Sequence, residues 1–187
     1  MFVSLVGQEL RHRFQQLSTH VYFLICFGLS FLLMNALGGA FGEGNFVIFG
    51  MGPNTNVNSP FVLNVLTWFL GLVGMILTAP FMGRAVYRDY DSGIHPLVFT
   101  TPVSKAVYLG SRFVGSYLAH LYLYLGLTAG LMLGTVVPWV DPSQFGAFSF
   151  GAYLQPYLLY LLPNLLWAGG LFFVLPALTR RMLPNYI

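Results

Sequence analysis

All eight Lys and Arg residues of this chain fall in three short stretches, and apolar segments long enough to cross a bilayer separate those stretches. Arg11 and Arg13 lie near the start, and Arg180 and Arg181 near the end. The other four (Arg84, Arg88, Lys105 and Arg112) bracket one central loop. Only 7% of the 187 residues are charged, where a soluble domain carries roughly 25%. Such a chain cannot cover a water-facing surface, and its blocked apolar runs require a membrane. The net charge of +3 forms no continuous basic patch, so nucleic acid is not an expected partner. Cys26 is the single cysteine and sits inside an apolar run, which leaves no disulfide or cysteine-based metal framework and makes it a packing residue.

Residues 21–40 (VYFLICFGLSFLLMNALGGA) form the first run, and twenty helical residues rise about 30 Å, the hydrocarbon thickness. Gly38 and Ala40 resemble a small-residue cleavage site, yet the polar segment ahead of the run is long and patterned, so an uncleaved span is expected. Further spans are expected over 61–83, 107–137 and 152–178. Arg112, one turn inside the third, is expected to reach the headgroups along its own alkyl stem. Pro156, Pro163 and Pro176 predict bends in the fourth. With the N-terminus inside, all eight basic residues are cytoplasmic, and the outer loops 41–60 and 138–151 carry only Glu43 and Asp141. That is the orientation the positive-inside rule demands. Tyr108, Trp139 and Tyr153 suit aromatic belts, with Trp68 and Trp167 deeper as packing residues. The Gly- and Asn-rich stretch 38–60 reads as a flexible connection.

Ahead of the first span, Val3, Val6, Leu10, Phe14 and Leu17 recur at steps of three and four. Gln8, Glu9, Arg11, His12, Gln15 and Gln16 fill the opposite face. This predicts an amphipathic helix over 2–18, lying in the interface with its basic residues near anionic headgroups. The expected fold class is therefore all-α: a polytopic transmembrane helical protein of four spans preceded by an N-terminal interfacial helix.

The loop 84–106 opens on Arg84, Arg88 and Asp89, a charged end that belongs in water or against protein. Gly93 permits a turning conformation, Pro96 suits the first turn of a new helix, and Ser104 is placed to cap the third span. The short apolar run Leu97–Val98–Phe99 between them predicts a brief helix whose exposed Leu97 and Phe99 fit another protein's groove.

The stretch DYDSGIHPLVFTTPVSKAVYLGSRFVGSYL resembles the segment between the second and third spans of type 2 ABC-transporter permeases. In that family an acidic, Gly-containing turn leads into a coupling helix, followed by an S/T-T-P-V/I-S-K/R element and a G-x-R/K at the foot of the third span. The matching residues are Asp91, Gly93, Thr100, Thr101, Pro102, Val103, Ser104, Lys105, Gly110 and Arg112. The leader and the span order also look like this family, so the resemblance covers essentially the whole chain. Two departures stand out. His95-Pro96 replaces a Thr followed by an acidic or apolar residue, a variant similar to the subgroup fused to a zinc aminopeptidase-like domain. The family has six spans, and the ending ALTRRMLPNYI looks like a turn into a fifth, as in a truncated chain.

The resemblance implies the membrane-spanning subunit of an ATP-binding-cassette exporter in a bacterial cytoplasmic (inner) membrane. It implies an ABC ATPase subunit as partner, carrying ATP and Mg, and a permease dimer within the lipid bilayer. The ATPase-coupling residues would be Arg88, Asp89, Asp91, Gly93, His95, Leu97, Phe99, Thr101, Pro102 and Lys105. No cofactor is expected in this chain. Lys105 is the only lysine and lies in no phosphate-cradling G-x-x-x-x-G-K-[ST] loop, so the chain itself is not expected to be an enzyme.

Inside the expected spans, Gly126, Gly130 and Gly134 form a smooth stripe for close helix approach, within the chain or at a dimer seam. His120 is expected to be neutral and hydrogen-bonded, because no Asp or Glu accompanies it as a relay would need. Asn35, Asn64, Gln155 and Asn164 suit either a path or bonds between helices. No H-E-x-x-H or G-x-S-x-G motif supports an intramembrane enzyme, and no metal site is expected. The missing carboxylates and inverted repeat count against an ion-coupled transporter. The alternative function is a membrane anchor or scaffold for a downstream, peptidase-like domain.

Overall fold

The computed structural model describes residues 1–42, 55–93, 103–182 and 185. Every regular element among them is helical. A short helix α1 (Phe2–Gln15) is followed by α2 (Leu17–Leu37), α3 (Pro60–Asp91) and α4 (Lys105–Gly134). A 3₁₀ turn (Pro142–Gln144) then leads to α5 (Phe150–Pro156), a π-helical turn (Tyr157–Leu161) and α6 (Leu162–Thr179). Four helical stretches, of 21, 29, 30 and 30 residues, are long and apolar enough to cross a bilayer, as a multi-pass membrane protein requires.

Length explains where the charges go. At 1.5 Å per residue the 32 residues of α3 extend roughly 48 Å, well beyond a hydrocarbon core of about 30 Å. Arg84, Arg88 and Asp91 therefore sit on helical turns that outrun the apolar stretch rather than at the start of a loop. Gly93 follows at φ +68°, the left-handed value that ends a helix without a Cβ clash. At the start of α4, Ser104 acts as its sequence suggests: its Oγ accepts from the Val107 N–H at 3.4 Å.

The chain divides into two compact units. The first comprises Met1–His20, Met75–Tyr122 and Asn164–Ile187. Its apolar core gathers Ala85, Val86 and Phe173, with Phe113 set edge-on to Phe173 at 5.3 Å. Thr19 Oγ1 donates to the Arg13 carbonyl at 2.7 Å and the His20 ring meets the Phe14 carbonyl at 2.9 Å, so the first turn of α2 caps the last of α1. The extended Gln16 (φ −80°, ψ 123°) makes the break between them. Pro176 has no N–H to offer the Phe172 carbonyl four residues back. Asn185 supplies that donor, its Nδ2 lying 3.0 Å from Phe172 O and 3.2 Å from Ala79 O.

The second unit comprises Val21–Gly74 and Leu123–Pro163. Gly126, Gly130 and Gly134 of α4 lie directly against Phe23, Phe27, Ser30, Phe31 and Met34 of α2, so α2 of the same chain occupies the stripe. Pro163 removes an N–H from the last membrane-spanning stretch. The register slips by one just before it, Leu162 N–H reaching Tyr157 O five residues back. Of the stretch 38–60 read as a flexible connection, residues 43–54 lie outside the described residues, and its described C-terminal end is held to the segment 144–146. Asn58 exchanges two hydrogen bonds with the Gly146 backbone, at 2.9 and 2.7 Å, and Val57 N–H donates to Gln144 O at 2.9 Å. Trp139 Nε1 donates to Asn35 Oδ1 at 2.6 Å.

Three aromatic expectations are corrected. Trp68 and Trp167 are exposed on the outside of their helices, not packed. On a membrane helix such faces meet lipid, where no hydrophobic cost attaches to them. Tyr153 is buried rather than belt-forming, with its hydroxyl on Thr135 Oγ1 at 3.3 Å.

Candidate functional site

One carboxylate organises the first unit. Glu9 lies on the face of α1 turned toward protein, and its side chain is 1% exposed. A charge so buried must be paired. Arg13, one turn along α1, donates from Nε to Oε1 at 2.9 Å. Arg88 of α3 donates from Nη2 to Oε2 at 3.2 Å, and Arg112 of α4 closes on the same Oε2 through Nη1. Burial alone would push the Glu9 carboxyl up, but the guanidiniums of Arg13, Arg112 and Arg88 together hold it below its ordinary value of 4.5. Burial pulls the Arg13 guanidinium below its ordinary range and Glu9 opposes that; an arginine nonetheless stays charged at physiological pH.

The close approach depends on small residues. Ser111, Gly115 and Ala119 recur every four positions along α4. A Cβ at Gly115 would sit 2.8 Å from the Cβ and Cγ of Glu9, so only glycine admits α1 there.

From Arg13 a buried polar chain continues. Its Nη2 donates to Ser116 Oγ at 3.2 Å, and its guanidinium lies 4.5 Å over the Phe81 ring. Phe81 in turn packs edge-on against His120 at 4.9 Å, and His120 Nε2 shares a hydrogen bond with Thr78 Oγ1 at 3.0 Å. His120 is thus a buried, hydrogen-bonded histidine.

A cleft of about 250 Å³ opens over the cluster. Gln8 and His12 of α1, Arg88 of α3, and Tyr108, Ser111 and Arg112 of α4 line it beside Glu9 and Leu5. Burial, then the charge of Arg88, keeps the His12 imidazole below its ordinary 6.5, so at neutral pH it lines the cleft uncharged. Among the described residues no group of three His, Cys, Asp or Glu side chains converges as a metal site would require.

No protein-family model, curated protein or solved structure matches the chain.

The sequence-derived sites fall into three groups. His95, Leu97, Phe99, Thr101 and Pro102, with the short helix expected around them, lie outside the described residues. Asp91 and Lys105 are exposed at the facing ends of α3 and α4, and Asp89 lies in the last turn of α3. Arg88 alone of that set enters the cluster. Two expectations for arginines are corrected. Arg13 is 4% exposed and engaged with protein rather than with headgroups. Arg112 turns to Glu9 instead of extending past its own helix, because a buried carboxylate is a stronger partner than hydrated lipid phosphate at that distance. Glu9 and Ser116 were not recognisable as site residues. The one available signal was the Glu9–Arg13 spacing of four, since α1 carries no other carboxylate.

Proposed function

We propose that this chain is the membrane-spanning subunit of an ATP-binding-cassette exporter of a bacterial inner membrane, with its N-terminus cytoplasmic. A separate ATPase subunit would drive it. The loop's resemblance to coupling segments of type 2 permeases is one support. The observation that carries the reading is Glu9, which joins α1 to Arg88 and Arg112 on the two helices flanking the stretch that resembles a coupling segment. Force applied to that loop would reach α3 and α4 at the turns where both are pinned to α1. A three-helix clasp of this kind moves as a body, which is what ATP-driven re-packing of spans needs.

The test replaces Leu97 and Phe99 with aspartate in the complete complex. The expected result is loss of ATPase co-purification and of substrate-stimulated ATP hydrolysis. Survival of both would sink the proposal and leave the anchor reading in its place.

A further inference from the structure

Two of the membrane-spanning helices are interrupted by proline, and one side chain reaches both interruptions. Pro80 lies inside α3 and Pro176 inside α6, and each removes an N–H from its helix. Asn185 donates from Nδ2 to the Ala79 carbonyl, next to Pro80, and to the Phe172 carbonyl, which Pro176 deprives of a helical donor. Gly83, one turn beyond Ala79, makes room for that amide: a Cβ there would overlap Asn185 Nδ2 and lie 3.2 Å from the Met182 thioether. The chain turns out of α6 at Arg180, whose φ of +55° is left-handed, the conformation in which helix ends favour glycine. Arg180 N–H donates to the Pro176 carbonyl at 2.9 Å, so the turn itself is built on the proline. The seated arrangement carries two local costs. Arg180 holds a Cβ where L-residues are strained. Asn185 is 6% exposed, and no described group donates to its Oδ1. Residues held against such costs gather at switch regions.

We propose that Asn185 is the bolt of a two-state latch, seated over Gly83 in the closed state and pivoting at Arg180. Closed, its two hydrogen bonds fasten α3 to α6 at their prolines, so the ends of the two helices move together. Open, the amide leaves its seat, Arg180 relaxes out of the left-handed region and Oδ1 meets water. Each helix is then free to bend at its own proline, where a ladder hydrogen bond is already missing. The opposition of terms makes this a switch: two hydrogen bonds favour the closed state, while backbone strain and a buried acceptor without a protein donor oppose it. Such a gap leaves the open state at about 0.1–10% of molecules. The latch requires neither transport nor an ATPase partner. Any motion of α3 that it releases passes to α1 through Arg88 and Glu9.

The experiment uses the full chain in nanodiscs, with the buried Cys26 replaced by alanine and a reporter thiol introduced by Met182→Cys beside the Gly83 seat. The readout is the rate of alkylation by a water-soluble maleimide, with helix content followed by circular dichroism. Gly83→Ala blocks the seat with a single methyl group and should label at least tenfold faster, the ratio of a fully open latch to one that is 10% open. Its helix content should hold, because alanine is the better helix former. Arg180→Gly removes the strain of the closed turn and should label about fivefold more slowly, the scale of a left-handed Cβ penalty. Gly170→Ala on α6, where a Cβ meets open space, should label as the parent does. Should Gly83→Ala lose its helices, the Arg180→Gly rate decides alone. A folded Gly83→Ala that labels at the parental rate, an Arg180→Gly that labels no more slowly than the parent, or a Gly170→Ala rate as high as that of Gly83→Ala would overturn the latch.

Discussion

Removing the charge of Glu9 while keeping its shape should destabilise the protein more than any other single loss of charge in it. The size of the effect follows from which arginine is stranded. In Glu9→Gln, Arg88 and Arg112 are 29% and 18% exposed and can turn toward water, so each adds only about 0–1 kcal/mol. Arg13 cannot turn: its side chain is 5% exposed, held between Ser116 and the Phe81 ring. Stranding a buried charge typically costs about 3–5 kcal/mol. The bare Coulomb energy of a pair about 4 Å apart at an effective dielectric near 20 is about 4 kcal/mol, in agreement. The expected loss is thus roughly 4 kcal/mol, a large share of the 5–15 kcal/mol that holds a typical domain together. Arg13→Met should cost less, about 1–2 kcal/mol, because Glu9 retains two partners. The double variant should be more stable than Glu9→Gln alone by about 2 kcal/mol, since no buried charge then remains. Reversible unfolding in mixed micelles, followed by tryptophan fluorescence, measures all three. A Glu9→Gln loss below about 0.5 kcal/mol, or strict additivity in the double variant, would refute the claim that the buried Arg13 pair carries this cluster.

The same carboxylate sets an acid limit. Because its folded pKa is depressed, its contribution is fully present above the ordinary 4.5 and declines as pH falls through the lower folded value, so a stability–pH profile should drop on that side in the parent and be flatter in Glu9→Gln. Asn185→Ala should cost about 1–3 kcal/mol, because the Phe172 carbonyl facing Pro176 loses its substitute donor; equal unfolding midpoints would count against that role. Gly130→Leu should prevent accumulation in the membrane, since even a Cβ there meets the Phe27 carbonyl and Ser30 of α2, and backbone cannot yield as a side chain can. Parental levels of Gly130→Leu in membranes would show that α2 and α4 do not pack along that stripe.

The helices were legible because bilayer physics writes them in long uncharged runs, and each of the four runs corresponds to one helical stretch of membrane-spanning length. The Gly126–Gly130–Gly134 stripe was legible for a similar reason: identical residues at one spacing leave little else to mean. The place on α4 that receives α1 was not, because Gly115 has Ser111 and Ala119, not glycine, four positions to either side. The ion cluster was legible only in part. Charge counting located Arg88 and Arg112 near one end of their helices, yet it treated each arginine as an independent topology marker. Nothing in a linear reading tells Arg11 from Arg13, although one is exposed and the other is buried. The difference arises from two residues of helical rotation, 200°, and so from which side of α1 faces protein. The extra turns of α3 are not legible because Arg84 and Arg88 end its apolar stretch without ending the helix.

Glu9 meets its partners at very different times. Arg13 is four residues away, Arg88 is 79 and Arg112 is 103. At roughly 5–20 residues per second of synthesis, the last of them emerges about 5–20 s after the first. Through that interval α1 carries a carboxylate that already has one local counter-charge, which lets the helix wait at the membrane surface without a naked anion. Only when the foot of α4 arrives can the clasp shut. Closure of the N-terminal helix is therefore a late event in biogenesis, and it inspects the register of two helices made long after it.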